Sequence, residues 1–258
     1  IRYDAARDAF FITVQAGVIL ADLQAALGNT AARKFPWADA ASEVKGRDVL
    51  ASGRKLFYPM DPTETSAQVG GTVATNASGA RTFHYGATRD WVEALTVVLA
   101  DGEILKLRRG DAVVEDGRFV LENSGGARRE IVIPDLDMPK TKNTAGYYLR
   151  PGMDAVDLFV GSEGTLGLIV EMELRLTLEP VERLFLTVFL PSEAEALKLV
   201  RSMREAEGLS VLALEYFGPC ALKMLRSKRR EMGASSGVPV LADDAVCAVY
   251  TEVAFAGD

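Results

Sequence analysis

The chain has 258 residues, 48% apolar and 25% charged, with 29 Lys and Arg against 36 Asp and Glu for a formal net charge of −7. These proportions exclude a disordered, collagen-like or mucin-like chain, because there is enough apolar area to offset the entropy of ordering. An acidic chain also lacks the global positive field that draws nucleic acid, so no nucleic-acid partner is expected.

The length suits one large domain or two smaller ones. Phe10–Gln15 is a short β-rich run ended by Gly17. Leu20, Leu23 and Leu27 then recur at helical spacing, with Gly28-Asn29 as a stop. Residues 29–57 show little periodicity and read as a long connection. Trp91–Leu99 reads as a strand, joined by Asp101-Gly102 to Glu103–Leu107. Asp-Gly between two apolar runs predicts a type I′ hairpin, in which both central residues take positive φ. Asp116-Gly117, between Ala112–Val114 and Arg118–Leu121, repeats the device. Ile131–Ile133 is a short strand ended by Pro134, Asp157–Val160 a helical turn, and Leu168–Leu176 an alternating, half-buried strand.

The character changes near Glu179-Pro180, where a domain boundary is expected: residues 1–180 form one domain and 181–258 begin another. Leu184–Leu190 is a strand. Ser192 and Glu195 fit a capping box opening a helix with Leu197, Val200 and Met203 as its apolar stripe. Leu209–Phe217 is the next strand, Pro219–Met232 the next helix, and Val246–Phe255 a third strand. Lys228, Arg229 and Arg230 suit the negative end of that helix. The succession suggests a split βαβ, ferredoxin-like layer that stops before completion.

Cys220 and Cys247 are the only cysteines and His84 is the only histidine. Two reduced thiols are expected, with no disulfide framework, no Ser-His-Asp triad and no multi-histidine metal site. No run approaches the roughly 20 apolar residues that cross a bilayer. Ile1-Arg2-Tyr3-Asp4 lacks the basic and apolar regions of a leader. A cytoplasmic protein, free or peripheral to a membrane, is expected, and the missing initiator Met points to an internal portion of a longer chain.

Two segments carry chemistry. Residues 58–90 are punctuated by Gly70, Gly71, Gly79 and Gly86 and filled with small residues and hydroxyls. Small residues let backbone amides approach a bulky ligand, and phosphate oxygens or flavin carbonyls suit such amides. Ordinary turn chemistry accounts for the same composition. Residues 159–170 place glycines at 161, 164 and 167 just before a strand, where backbone can lie flush against a ring or a diphosphate; a glycine-rich turn is the alternative. Neither segment is G-x-G-x-x-G or a P-loop.

Taken in order, five motifs resemble the FAD-binding domain of the vanillyl-alcohol oxidase (p-cresol methylhydroxylase, PCMH) superfamily, in its D-2-hydroxyacid dehydrogenase and glycolate oxidase flavoprotein-subunit branch. They are Tyr58-Pro59-x-Asp61-Pro62, Gly70-Gly71-Thr72-Val73-Ala74-Thr75-Asn76-Ala77-x-Gly79, Tyr85-Gly86-x-Thr88-Arg89-Asp90, Lys142-Asn143-Thr144-Ala145-Gly146-Tyr147 and Gly161-Ser162-Glu163-Gly164-Thr165-Leu166-Gly167. Five ordered motifs are far more specific than one glycine pattern. Val14–Gly17 with Leu20–Leu23 is similar to the family's upstream strand and helix.

The resemblance implies an α+β fold: a PCMH-type FAD-binding domain of two α/β subdomains, followed by an incomplete ferredoxin-like cap. It implies FAD held by Pro59, Asp61, Thr65, Gly70, Gly71 and Thr72 along the pyrophosphate and flavin. Ala74, Thr75, Asn76 and Ala77 would meet the isoalloxazine edge, with Gly79, Tyr85 and Gly86 also against the cofactor. Glu163, Gly164 and Ile169 would meet its ribityl, ribose or adenine side. The implied activity is oxidation of a small 2-hydroxy acid, D-lactate-like or glycolate-like. Electrons would pass to an iron–sulfur subunit, a quinone or another acceptor, and homo-oligomers are in keeping with the family.

The family's N-terminal pyrophosphate loop is missing before Phe10. Its catalytic base and metal-binding histidines would follow residue 258, so no catalytic or metal residue is assigned here. The motif after Gly146 departs from the family at Tyr148, and Arg150–Val156 reads as an insertion. His84 is read as an ordinary loop histidine in preference to a ring beside the flavin. Arg89 and Lys142 are candidates for a substrate carboxylate, although an Arg89–Asp90 ion pair is favoured for the former. The rival readings are an alkylglycerone-phosphate-synthase-like flavoenzyme, a non-catalytic flavin-binding subunit and a flavinless scaffold.

Overall fold

The structure, a computed structural model, describes residues 1–28, 36–144 and 146–255. Asn29 and Ala145, both named above, lie outside the described residues. The chain forms two compact units: residues 1–79 with 86–179, and residues 80–85 with 180–258.

The first unit is built on an antiparallel sheet. Its strands are β1 (Arg2–Asp4), β2 (Ala9–Gln15), β4 (Val92–Val98), β5 (Ile104–Arg108) and β8 (Leu168–Leu178), in the order β1-β2-β8-β4-β5. The two-residue β3 (Leu56–Phe57) pairs with the far end of β8. Alternation sets the register. Val14, Met172, Leu95 and Leu107 stand in one cross-strand row, and Ile12, Leu174 and Val92 in the next. All seven are buried, so a one-residue slip would expose a whole apolar face. Two helices supply further core: α1 (Leu20–Gly28) buries Leu20, Leu23 and Leu27, and α3 (Val69–Ala74) buries Val69 and Val73.

Residues 36–57 are not the connection expected. They include α2 (Ala40–Ala51), whose cap Asp39 accepts from the Ser42 amide at 2.7 Å. Its buried positions are Ser42 and Gly46, because the Trp37 ring fills the space a Gly46 side chain would take. A helix that buries small residues shows no apolar stripe in sequence.

The two Asp-Gly turns differ. Asp116 and Gly117 both have positive φ, and Glu115 and Arg118 exchange backbone hydrogen bonds at 2.9 Å, as type I′ requires. The strand that follows, β6 (Arg118–Glu122), ladders with β7 (Arg128–Val132), and Ala112–Val114 forms no strand. At Asp101-Gly102 only Gly102 is positive, and the Leu99 amide reaches the Glu103 carbonyl at 2.8 Å. That is a three-residue loop with a bulge, correcting the type I′ expectation. Arg150–Val156, read above as an insertion, packs into the first unit. Met153 and Val156 are buried, and Asp154 caps α5 (Ala155–Phe159).

In the second unit, β9 (Glu182–Leu190) and β10 (Ser210–Phe217) each pair antiparallel with β11 (Cys247–Phe255). They are therefore parallel to each other across it, which is the split βαβ arrangement. Between them runs α6 (Glu193–Glu205), and α7 (Pro219–Met232) leads into β11. The α6 stripe is Ala196, Leu199, Val200 and Met203, whereas Leu197 is 60% exposed and is not part of it. Ser192 accepts from the Glu195 amide at 3.3 Å, but the Glu195 carboxylate pairs with Lys198, so only half of the capping box forms. Ser192→Ala should therefore cost about 1 kcal/mol, read as a lowered urea midpoint with an unchanged slope.

Segment 80–85, which includes α4 (Thr82–Tyr85), belongs to this unit. Arg81 Nε donates to the buried Glu252 carboxylate at 2.8 Å, and the Tyr250 hydroxyl donates to the same carboxylate.

Candidate functional site

The chain after β2 turns at Ala16-Gly17 and is zipped to residues 65–70. The amides of Leu20 and Ala21 donate to the carbonyls of Ala67 and Thr65, and those of Val69 and Gly70 donate to Val18 and Ala16. Any side chain at Gly70 would run into Ala16. This fixes the start of α3. Within α3, the Thr72 hydroxyl donates to the Val69 carbonyl at 2.8 Å; just beyond it, Thr75 donates to Gly71 at 2.9 Å. Both hydroxyl protons are thus spent on local backbone and not on a ligand.

The end of α3 meets the second glycine-bearing stretch. The Gly161 amide donates to the Val73 carbonyl at 3.1 Å and the Glu163 amide to Ala74 at 2.9 Å. Asn76 and Glu163 both adopt positive φ, 47° and 53°, a conformation that costs a non-glycine residue and persists only where the surroundings hold it. Asn76 is held on three sides. Its amide bonds to the Val73 carbonyl, its Oδ1 accepts from the Arg89 amide at 2.9 Å, and its Nδ2 donates to the Asn143 carbonyl at 3.4 Å. A Cβ on Gly161 would sit 3.2 Å from that of Asn76, so the two stretches are in contact. Gly71, Thr75, Glu163 and Gly164 are exposed around this junction.

Arg89 is buried and makes no ion pair with Asp90, whose carboxylate accepts from the Ala87 amide. Its partner is Asp157 on α5, whose carbonyl it also reaches, and its Nη2 donates to the Val160 carbonyl at 2.5 Å. A guanidinium spent in this way is not available to a substrate carboxylate, so Arg89 is corrected from substrate candidate to internal link. Burial lowers its pKa from the ordinary value, and Asp157 partly offsets this. Arg109 joins the same carboxylate at 2.9 Å. Lys142 is exposed.

The remaining candidates are spread more widely. Pro59 is buried between Tyr58 and Met60, whose carbonyls both accept from the Gln24 amide group. Asp61 packs against Gly79, and exposed Thr65 lends its carbonyl to Ala21. Gly86 abuts the Asp90 carboxylate. Ile169 is half-buried opposite Val97 in the β8–β4 ladder. Tyr85 lies in the second unit, edge-on to His84 with ring centroids 4.6 Å apart. Among the described residues no cluster of three His, Cys, Asp or Glu side chains could hold a metal ion.

Polar atoms at the junction fit a ring cofactor rich in donors and acceptors. Ser162 Oγ, Ser78 Oγ and Asn143 Oδ1 are buried with no hydrogen-bond partner among the described residues. Leaving a buried polar group unsatisfied costs about 1–3 kcal/mol, and such groups in a native fold call for a ligand or ordered water. Ser78 is among the hydroxyls that the sequence offers to a ligand, whereas Ser162 carries no such signal, because a serine in a glycine-rich turn has no distinctive spacing.

Residues 44–108 match the family described as FAD binding domain. The chain is 33% identical over 187 residues to a D-lactate dehydrogenase of Anaerostipes hadrus, covering 72% of this chain and 26% of that protein. It is 34% identical over 169 residues to a D-2-hydroxyglutarate dehydrogenase of Xanthomonas citri pv. viticola, covering 65% and 28% respectively. It is also 35% identical over 126 residues to the glycolate oxidase subunit GlcD of Bacillus subtilis, covering 48% and 19%. The chain thus spans about a quarter of the length of the curated relatives it matches. A solved alkyldihydroxyacetonephosphate synthase superposes with a TM-score of 0.56 at 17% identity, covering 97% of this chain and 35% of that one. The chain carries an FAD-binding domain within an α+β fold that it shares with that synthase, and FAD is its cofactor.

Proposed function

We propose that the protein is an FAD-dependent dehydrogenase of small 2-hydroxy acids, D-lactate-like or glycolate-like, with residues 1–180 as its FAD-binding domain and 181–258 as the start of a substrate cap. Support for the cofactor half comes chiefly from one observation. The Gly161 and Glu163 amides are hydrogen-bonded onto Val73 and Ala74, which joins two glycine-bearing stretches into one surface. Support for the substrate half comes from the relatives' names, D-lactate dehydrogenase, D-2-hydroxyglutarate dehydrogenase and glycolate oxidase subunit.

FAD, when bound, supplies a hydride acceptor, so that the 2-hydroxy acid loses a hydride and a proton and leaves as the 2-oxo acid. The chain's own part is to bind and orient. Exposed backbone at Gly71 and at Glu163-Gly164 would lie against the cofactor, while Ser162, Ser78 and Asn143 would offer their free polar atoms to it. The acid substrate, an electron acceptor such as an iron–sulfur subunit or a quinone, and self-association belong to the same proposal. Among the described residues no helix is long and apolar enough to cross a membrane.

The test is a visible absorbance spectrum of the protein at its natural length, followed by anaerobic addition of D-lactate, D-2-hydroxyglutarate and glycolate. Flavin bands that bleach with at least one acid are expected. Bands that survive all three would remove the activity, and a colourless protein that takes up no FAD would remove the cofactor reading as well.

A further inference from the structure

We infer that Arg89 is a positioning residue for FAD: it clamps the two glycine-bearing stretches in the register the cofactor needs. The inference rests on the FAD-binding reading of the junction and goes beyond it, because Arg89 is only 7% exposed and faces the protein, not the ligand.

Two backbone contacts, between Gly161 and Val73 and between Glu163 and Ala74, bring the stretches together. Neither fixes the angle at which α5 enters the second stretch. Arg89 does so from both sides. Its main-chain amide holds Asn76 Oδ1 at 2.9 Å, anchoring the left-handed turn that ends the first stretch. Its guanidinium holds the carbonyls of Asp157, within α5, and of Val160, the residue immediately before Gly161. Those carbonyls lie at the C-terminal end of α5, where an intrahelical partner is lacking and a cation is favoured.

The surroundings keep the guanidinium in one orientation. The Tyr148 ring lies 4.4 Å below it, and Arg109 bridges the Arg89 carbonyl at 2.8 Å and the Asp157 carboxylate at 2.9 Å. The Asp157 carboxylate in turn accepts from the Asp154 amide at 3.1 Å, closing the cap of α5. A planar fork with fixed donors can serve two carbonyls at once, whereas an ammonium is a point charge on a flexible stem. Lysine at this position would keep the charge beside Asp157 and lose the simultaneous hold on Val160. The Gly161–Gly164 backbone would then be free to shift against Asn76.

The test compares Arg89→Lys with Arg7→Lys, which alters an arginine of the same unit that pairs with Glu93 and touches neither glycine-bearing stretch. Arg7 bonds Glu93 through both terminal nitrogens at 2.5 and 2.9 Å. For each deflavinated protein at natural length, the dissociation constant for FAD is measured by flavin-fluorescence titration, alongside the visible circular dichroism of the bound flavin and the melting temperature without FAD. Arg89→Lys is expected to weaken FAD binding by roughly tenfold or more and to change the dichroism. Arg7→Lys should leave affinity and dichroism unchanged, whatever its effect on the melting temperature. Wild-type affinity and dichroism in Arg89→Lys would overturn the inference. So would affinity that falls with melting temperature equally in both variants. Should Arg89→Lys not fold, Tyr148→Leu removes only the ring beneath the guanidinium. A several-fold loss of affinity is then expected, and no loss would overturn the inference. A wild-type protein that binds no FAD rejects the functional reading itself, and the clamp with it.

Discussion

Gly79→Ala should leave the protein largely unfolded or unable to retain FAD. A Cβ at this position would stand closer than 3.0 Å to the backbone carbonyl and side-chain oxygen of Asp61. Cβ atoms do not tolerate that separation, and a backbone carbonyl cannot swing aside as a long side chain can. Relief requires moving either the Asp61 strand of chain or the turn after Asn76, both of which belong to the candidate cofactor surface. Overpacking in a close-packed site costs about 1–3 kcal/mol where neighbours can give, and more where the obstacle is backbone. Thermal unfolding of the protein without FAD, set beside its flavin absorbance after purification, checks this result. A melting temperature within a degree of wild type and full flavin content would show that the two segments are not packed as described.

Glu173→Ala is the second large effect expected, on stability. Glu173 is 7% exposed on the polar face of the first sheet. Arg2 donates to it from the β1 edge at 2.9 Å and Arg108 from β5 at 2.5 Å. The nearby Glu93, which Arg7 holds, also lies 3.7 Å from Arg108. Removing one acid would leave Arg2 without its main partner and crowd two arginines near one carboxylate. Fully buried pairs lose 3–5 kcal/mol when broken. The Arg2 and Arg108 side chains are 31% and 44% exposed, so solvent screening reduces the expected loss to about 2 kcal/mol. Equilibrium urea unfolding would measure it.

The same carboxylate gives stability a pH dependence. Burial alone would raise the Glu173 pKa, but hydrogen bonds from Arg2 and Arg108 outweigh burial and hold it below its ordinary value of 4.5. A group with a depressed folded pKa contributes fully above the unfolded value and loses its contribution as pH falls through the folded one. The wild type should therefore lose stability progressively below about pH 4.5. Glu173→Gln, which cannot titrate, should lose less over that range. An identical acid limb in both proteins would assign the effect to other carboxylates.

Much of this architecture was readable because local chemistry repeats at fixed periods. The strand Leu168–Leu178 alternates, and Pro219 and Gly233 bracket α7 at the positions their backbone preferences dictate. Where the sequence misled, the decisive contact was distant. The helix Ala40–Ala51 buries Ser42 and Gly46 because Trp37 fills the gap, so no run of large apolar residues marks it. Leu197 fell on the wrong side of α6 because Ala196, a small residue, is the one that packs inward. Asp101-Gly102 and Asp116-Gly117 are the same dipeptide, yet the first closes a three-residue loop and the second a two-residue one.

The candidate site divides in the same way. Its two glycine-bearing stretches announce themselves by composition. Local sequence does not show that Thr72 and Thr75 donate to their own backbone, or that Arg89 takes an aspartate 68 residues away in preference to its neighbour Asp90.

The membership of Ala80–Tyr85 in the second unit has a consequence for dissecting the molecule. The chain crosses from one unit to the other after Gly79, after Tyr85 and again after Glu179. A cut at Glu179 would release a piece that still carries Arg81 but has lost Glu252, its acidic mate. The units are separate neighbourhoods without being separate lengths of polypeptide, so neither can be excised whole by scissors placed at one peptide bond.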